Sequence, residues 1–286
     1  MNRYTAIFSL LVALLIVTDV KAFTVSPIGY RSTIEPGSHQ TFNIAVTNNE
    51  SGARRYKVSV ESVRNTEDGR RYYESGADPA EFWASMAPDS FSLSPGDQKT
   101  VVINMSVPKN ALPGSHPLAV MVASENTSRG EIGLTARSAV PISLIVAGEV
   151  TERLKLKKFI AHDGATGKKF WNFDIELYNE GTMDVQASGW IEIRNAFGKK
   201  IYDQPLTLGS AIYPRSERRL SPSLEIPPGI WPGKYTVKFI AQYGALKNTV
   251  TGETSLWYLP VYLAEAGIVL IFIFIIWLWR RRKVCP

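Results

Sequence analysis

The chain holds a single cysteine, Cys285, one residue from its end, so nothing before it can form a disulfide. Its three histidines, His39, His116 and His162, are too far apart to share a ligand motif, and without cysteine a zinc site would need carboxylates or histidines gathered by the fold. No nucleophile elbow, phosphate loop or dinucleotide fingerprint occurs. These absences lead to the expectation of no enzyme, no catalytic residue, no metal and no cofactor. Glu67-Asp68 and Asp163 offer a calcium reading, against which stands the ordinary solvated acidic turn.

Charge of one sign is also scarce once it is located. Of the formal +6, the run Arg280, Arg281, Arg282 and Lys283 carries four. The first 22 residues carry one net (Arg3 and Lys21 against Asp19), and Glu265 removes one. Only +2 is left for residues 23–257, which argues against nucleic acid as a partner.

Long apolar runs occur only at the two ends. Arg3, the stretch Tyr4 to Val17 and Val20-Lys21-Ala22 read as a secretory signal peptide over 1–22. Residues 258–279 read as one transmembrane helix, followed by a basic cytoplasmic tail over 280–286. Trp257, Tyr258 and Tyr262 would mark the outer interface and Trp277 and Trp279 the inner one, with Arg280 to Lys283 fixing orientation. On this reading the localisation is a cell membrane, with the N-terminal part outside the cytoplasm. Glu265, near the outer boundary, is either an interfacial carboxylate or a contact for another membrane protein. The cysteine-free exported part points to a bacterial envelope protein. The sequons at Asn49, Asn104 and Asn126 are then chance, and Cys285 is either a lipidation site or a residue without a role.

Between the ends, short alternating runs predict strands: Thr41 to Val46, Tyr56 to Val60, Val101 to Val107, Leu118 to Val122, Ile142 to Val146, Phe173 to Leu177, Trp190 to Ile193 and Tyr235 to Ile240. Asp68-Gly69, Asp163-Gly164 and Glu180-Gly181 supply turn chemistry between them. The chain also echoes itself. Phe42-Asn43-Ile44-Ala45-Val46-Thr47-Asn48 is answered by Phe173-Asp174-Ile175-Glu176-Leu177-Tyr178-Asn179, and Leu112-Pro113-Gly114 by Trp231-Pro232-Gly233. The fold expected is all-β, with two tandem immunoglobulin-like sandwiches over 23–148 and 149–257. Asp78-Pro79-Ala80-Glu81 predicts a capped helix of at most two turns, its Phe82, Trp83 and Met86 plugging one end of the first sandwich.

Binding candidates are exposed aromatics and arginines. Arg54, Arg55, Arg70 and Arg71 flank a strand and suit an anionic polymer, or are solvated loop charge. Tyr72, Tyr73 and Trp83, with Trp171, Trp190 and Trp231, suit a sugar or protein partner, or are core aromatics. Trp190 is the one most expected in the core.

Phe23-Thr24-Val25-Ser26-Pro27, Ile34-Glu35-Pro36-Gly37, Val46-Thr47-Asn48-Asn49 and Leu93-Ser94-Pro95-Gly96 resemble the opening of PapD-like bacterial domains. The layout of signal, two sandwiches, helix and basic tail resembles the WxL-interacting proteins. That resemblance implies a non-enzymatic adaptor at the cell surface, bound to peptidoglycan or a secreted surface protein. Arg137-Ser138-Ala139-Val140-Pro141-Ile142-Ser143-Leu144 resembles the last strand of a pilus chaperone's first domain, which implies strand addition to a subunit.

Overall fold

A computed structural model describes residues 22–125, 136–162 and 170–282. All but Ala22 of the expected signal peptide lies outside the described residues, as do the Asn126 sequon, Asp163-Gly164, Lys283 and Cys285. The chain divides into two compact units. One comprises Met1–Ser62, Ser75–Ala111 and Leu118–Leu144; the other comprises Val63–Glu74, Leu112–Pro117 and Ile145–Pro286.

The first unit is built on β1 (Thr24–Ser26), β2 (Tyr30–Ile34), β3 (His39–Thr47) and β4 (Arg54–Asn65), whose last residues pass into the second unit with β5 (Arg71–Glu74). It continues with β6 (Ala84–Ala87), β7 (Ser90–Leu93), β8 (Gln98–Ser106), β9 (Gly114–Glu125) and β10 (Arg137–Val146). Two sheets form, ordered β1-β3-β8-β6 and β2-β10-β9-β4-β5, with β7 also on β4. The period of two makes them a sandwich. In β3, Phe42, Ile44 and Val46 are buried while Thr41 and Asn43 are exposed. Phe42 lies opposite Ile103 and Ile44 opposite Val101. The other sheet contributes Tyr56, Val58 and Val60 from β4, Val120 and Val122 from β9, and Val140, Ile142 and Leu144 from β10. Each such side chain contributes about 1.5–3 kcal/mol when fully buried.

The second unit adds β11 (Leu154–His162), β12 (Phe170–Asn179), β13 (Ala187–Asn195), β14 (Lys200–Leu206), β15 (Glu217–Leu220), β16 (Ser223–Glu225), β17 (Gly233–Tyr243) and β18 (Asn248–Tyr258). Its sheets are β11-β12-β15, with β16 also on β12, and β14-β13-β17-β18. Trp171, Phe173, Ile175 and Leu177 of β12 meet Ile191, Ile193, Val237, Phe239 and Leu256 in one core. Trp171 lies 5.8 Å from the ring of Tyr235 and edge-on to Tyr258 at 6.1 Å. The all-β sandwich expectation therefore holds. The assignment of Trp190 to the core does not, because successive residues of a strand face opposite sides: Ile191 and Ile193 are buried, and Trp190 is half-buried on the other face.

The sequence echo has a structural counterpart in two fully buried asparagines. Asn48 donates through Nδ2 to Gly52 O (2.9 Å) and Leu93 O (3.1 Å), and its Oδ1 accepts from Glu50 N–H (3.0 Å). Asn179 donates to Met183 O (2.7 Å) and Ile212 O (2.8 Å), and accepts from Gly181 N–H (2.9 Å). Each closes a strand with the same local pattern, donating to residue i+4 and accepting from i+2.

The predicted helix is one 3-10 turn, Pro79–Trp83, capped by Asp78 Oδ1 accepting from Ala80 N–H at 2.9 Å. Phe82 is 76% exposed and plugs nothing, while Trp83 is half-buried. Glu81 does not close a capping box, because Asp78 N–H donates to Ser62 Oγ instead (2.9 Å). The buried Glu81 carboxylate accepts from Ser75 Oγ (2.6 Å), Gly76 N–H (2.7 Å) and Ser62 Oγ (3.0 Å). Burial pushes its pKa up, but these hydrogen bonds outweigh burial and hold it below the usual value.

The expectation of a transmembrane helix over 258–279 is corrected. Trp257 and Tyr258 end β18, and helix α1 (Val261–Arg282) starts after Pro260. Among the described residues, no helix is long and apolar enough to cross a membrane. Glu265 lies one turn into that helix, and a carboxylate is costly in hydrocarbon. Trp257, Tyr258, Tyr262, Trp277, Trp279, Arg280, Arg281, Arg282 and Lys283 are expected to anchor and orient that helix, and the spanning helix they would serve is not found among the described residues. The membrane localisation derived from them falls as well.

Candidate functional site: the outer edge of β10

Strand directions in the first unit follow from its register. Thr24 pairs with Thr47 and Ser26 with Ala45, so β1 runs back along β3, starting from the end of β3. Tyr30 continues that path, its ring 4.9 Å from Phe42, and Ser32 Oγ donates to Gln40 Oε1 at 2.7 Å. Asn48 ties the end of β3 to Leu93, which pairs with Arg54 at the start of β4. Arg55 in turn lies opposite Glu125 at the end of β9, and Ser124 N–H donates to Ala136 O (2.9 Å) just before β10. The starts of β1 and β10 therefore lie at one end of the sandwich, and β2 runs parallel to its neighbour β10.

The short β2 borders only half of β10. Gly29, which precedes β2, abuts Pro141 at the middle of β10: a Cβ there would sit 3.2 Å from both Pro141 Cγ and Pro141 O. From that point β2 descends alongside the second half of β10. On this placement, and with β2 half as long as β10, Arg137 to Val140 have β9 on one side and, among the described strands, none on the other.

Which backbone groups face that open side is also fixed. Pro141 O points to Gly29, on the β2 side, and proline's missing N–H is tolerated where no ladder bond is needed. N–H and C=O of one residue point the same way in a strand and alternate between residues. The N–H and C=O of Arg137 and Ala139 therefore look outward, while those of Ser138 and Val140 face β9, as Ala136 O does in accepting from Ser124 N–H. On the outer face stand the modest side chains of Ala139, Pro141 and Ser143, all half-buried. Arg137 is drawn to Glu61 at 2.5 Å. The arrangement is a template for a further strand.

The residues singled out from sequence are scattered. In the first unit, Arg54 pairs with Glu50 at 2.7 Å, and Arg55 donates to Ser90 Oγ (3.2 Å) and faces Glu125 at 3.9 Å. In the second, Arg70 pairs with Asp68 (2.8 Å) and Arg71 hydrogen-bonds Tyr213. Burial raises the Tyr213 pKa, and Arg71 works against that rise. Tyr72 and Tyr73 are 41% and 38% exposed; Tyr72 lines a shallow groove with Asn65, Glu67, Asp68 and Arg219. Trp171 is core. Among the described residues, no three of His, Cys, Asp and Glu gather as a metal site.

Sequence reasoning passed over Arg218, fully buried although β15 reads Glu217-Arg218-Arg219-Leu220. Its Nη1 donates to Leu208 O at 2.7 Å, and its guanidinium lies against Gly69 and Gly209, both at positive φ. Burial lowers its pKa, with Asp68 and Tyr213 opposing. Reading β15 as alternating would have placed Arg218 inward, had the side chain's charge not argued otherwise.

No family model matches the chain, and no curated protein does. Solved structures similar to it include a chaperone–tip adhesin complex of CFA/I fimbriae (11% identity over 81% of this chain and 98% of that one, TM-score 0.45). The class 5 fimbriae chaperone CfaA is 13% identical over 81% and 98%, with a TM-score of 0.41. A Salmonella enterica complex of SafA pilin with the SafB chaperone is 14% identical over 85% and 98%, with a TM-score of 0.39. Nothing found supports the WxL-interacting family. At such identities and scores, function has to be argued from the geometry of β10.

Proposed function

We propose that this chain is a non-enzymatic binding protein whose first unit takes up an extended segment of another polypeptide by strand addition along Arg137–Val140. The observation that carries this reading is the open outer edge of β10, with the main-chain groups of Arg137 and Ala139 facing it. An added strand gains main-chain hydrogen bonds, each worth about 0.5–1.5 kcal/mol net. Specificity then comes from alternate side chains of the incoming segment. The partner class is an exported pilus or surface subunit with an unpaired strand of its own to complete.

Proline substitution tests this by parity. Ala139→Pro removes an outward N–H and leaves the ladder to β9 intact; Val140→Pro removes a β9 bond and destabilises the unit. The full chain and both variants are compared for retention of exported proteins of the source cell. A partner held by the parent chain and lost with a stably folded Ala139→Pro supports strand addition. A partner held equally by Ala139→Pro sinks it.

A further inference from the structure

A second site lies at one end of the second unit, where a groove of about 660 Å³ is lined by Phe197, Lys199, Ile230, Trp231, Lys234 and Tyr235, among others. Phe197 is 94% exposed and Trp231 81% exposed. Such exposure of two large aromatics is usually relieved by collapse onto the surface, yet here each loop is pinned. Asn195 Oδ1 accepts from Phe197 N–H and Lys199 N–H, both at 3.0 Å, and Gly198 N–H donates to Asn195 O at 2.9 Å. Arg194 adds a bond to Gly198 O at 3.0 Å. On the other wall, the hydroxyl of Tyr235 donates to Trp231 O at 2.5 Å, and Gly229 and Gly233 take positive φ around the turn.

The charge of the groove is one-sided. No carboxylate lines it, and Lys199 and Lys234 make no ion pair among the described residues. Neighbouring cations are already neutralised: Lys200 by Asp203 at 2.7 Å and Arg194 by Glu192 at 2.5 Å. Two exposed aromatic side chains on pinned loops therefore flank a concavity with uncompensated positive charge.

We infer that this groove binds an acidic oligosaccharide, whose pyranose rings lay their C–H faces on Phe197 and Trp231 while carboxylates meet Lys199 and Lys234. A pyranose joins an apolar face to a charged edge, the combination the groove offers. A concave site also suits a linear chain better than a flat lipid surface. The loops are held in place before binding, so little ordering is lost when the ligand enters.

Titration of the full-length chain with tetragalacturonate, read by tryptophan fluorescence and calorimetry, tests the site. Saturable binding is expected, weakened about tenfold or more by Trp231→Ala or Phe197→Ala. The double variant Lys199→Gln/Lys234→Gln should bind less tightly, with a smaller response to salt. Cellotetraose, the neutral counterpart, should bind more weakly than the acidic sugar. All these residues are at the surface, so the variants should keep the parent's circular dichroism and unfolding midpoint. Absence of saturable binding overturns the inference, as does binding indifferent to the aromatic variants. Preference for anionic phospholipid vesicles or a poly-glutamate peptide over the saccharide also overturns it.

Discussion

Replacing Gly69 with alanine tests how Arg218 is accommodated. Gly69 has φ of 88°, a conformation that costs an L side chain about 1–2 kcal/mol. The new Cβ would lie 2.5 Å from the Arg218 guanidinium carbon, well inside contact distance. The end of an arginine is ordinarily free to swing aside, but this one is fully buried and donates to Leu208 O at 2.7 Å. Moving it forfeits a hydrogen bond to a charged group, worth about 1.5–3 kcal/mol. The sum for Gly69→Ala is roughly 2.5–5 kcal/mol. In an Arg218→Ala background the obstruction is gone, and only the backbone cost of ~1–2 kcal/mol should remain. Urea denaturation of the four chains gives the coupling, expected at ~2 kcal/mol or more. Additivity within ~0.5 kcal/mol would refute the argument, because it would mean that alanine at position 69 never meets the guanidinium.

The buried Glu81 predicts an acid-sensitive first unit. Its pKa is held below the unfolded value, so its contribution is present above that value (~4.3) and lost as pH falls through the lower folded one. Glu81→Gln should cost roughly 1.5–3 kcal/mol near neutrality, and its deficit should shrink below about pH 4 in urea titrations run across pH. A deficit independent of pH would count against this account. Asn48→Ala and Asn179→Ala should each destabilise by about 3 kcal/mol, since each strands one buried carbonyl and gives up two further hydrogen bonds, and the urea midpoints report it. Trp171→Ala should cost about 3–5 kcal/mol, but Trp171→Phe far less, because the indole N–H has no partner to lose. Equal thermal shifts for the two tryptophan variants would contradict that.

Local signals were legible in the chain because they need only neighbours in sequence. Phe42, Ile44 and Val46 alternate with polar residues and so declare one buried face. Asp78 before Pro79 caps its turn, Asp68-Gly69 makes its turn, and the echo ending in Asn48 and Asn179 marks two strands that close alike. Distant partners were not legible. Glu81 has the spacing of a capping box, yet Ser62, Ser75 and Gly76 take its carboxylate. Trp190 reads as the tryptophan most expected in the core and Trp171 as core or binding, and only the facing direction of β12 and β13 reverses that order. Arg218 carries a charge that composition places in water, and the turns at Gly69 and Gly209 supply the space that buries it. The apolar C-terminal run reads as an anchor by hydropathy, and no described helix is both long and apolar enough to cross a membrane. The open half of β10 depends on where β2 stops, and the groove at Phe197 on two loops meeting, so both were decided by the tertiary structure. Periodicity and turn chemistry act within a few residues, whereas an edge, a buried charge or a groove exists only once segments far apart in the chain are packed.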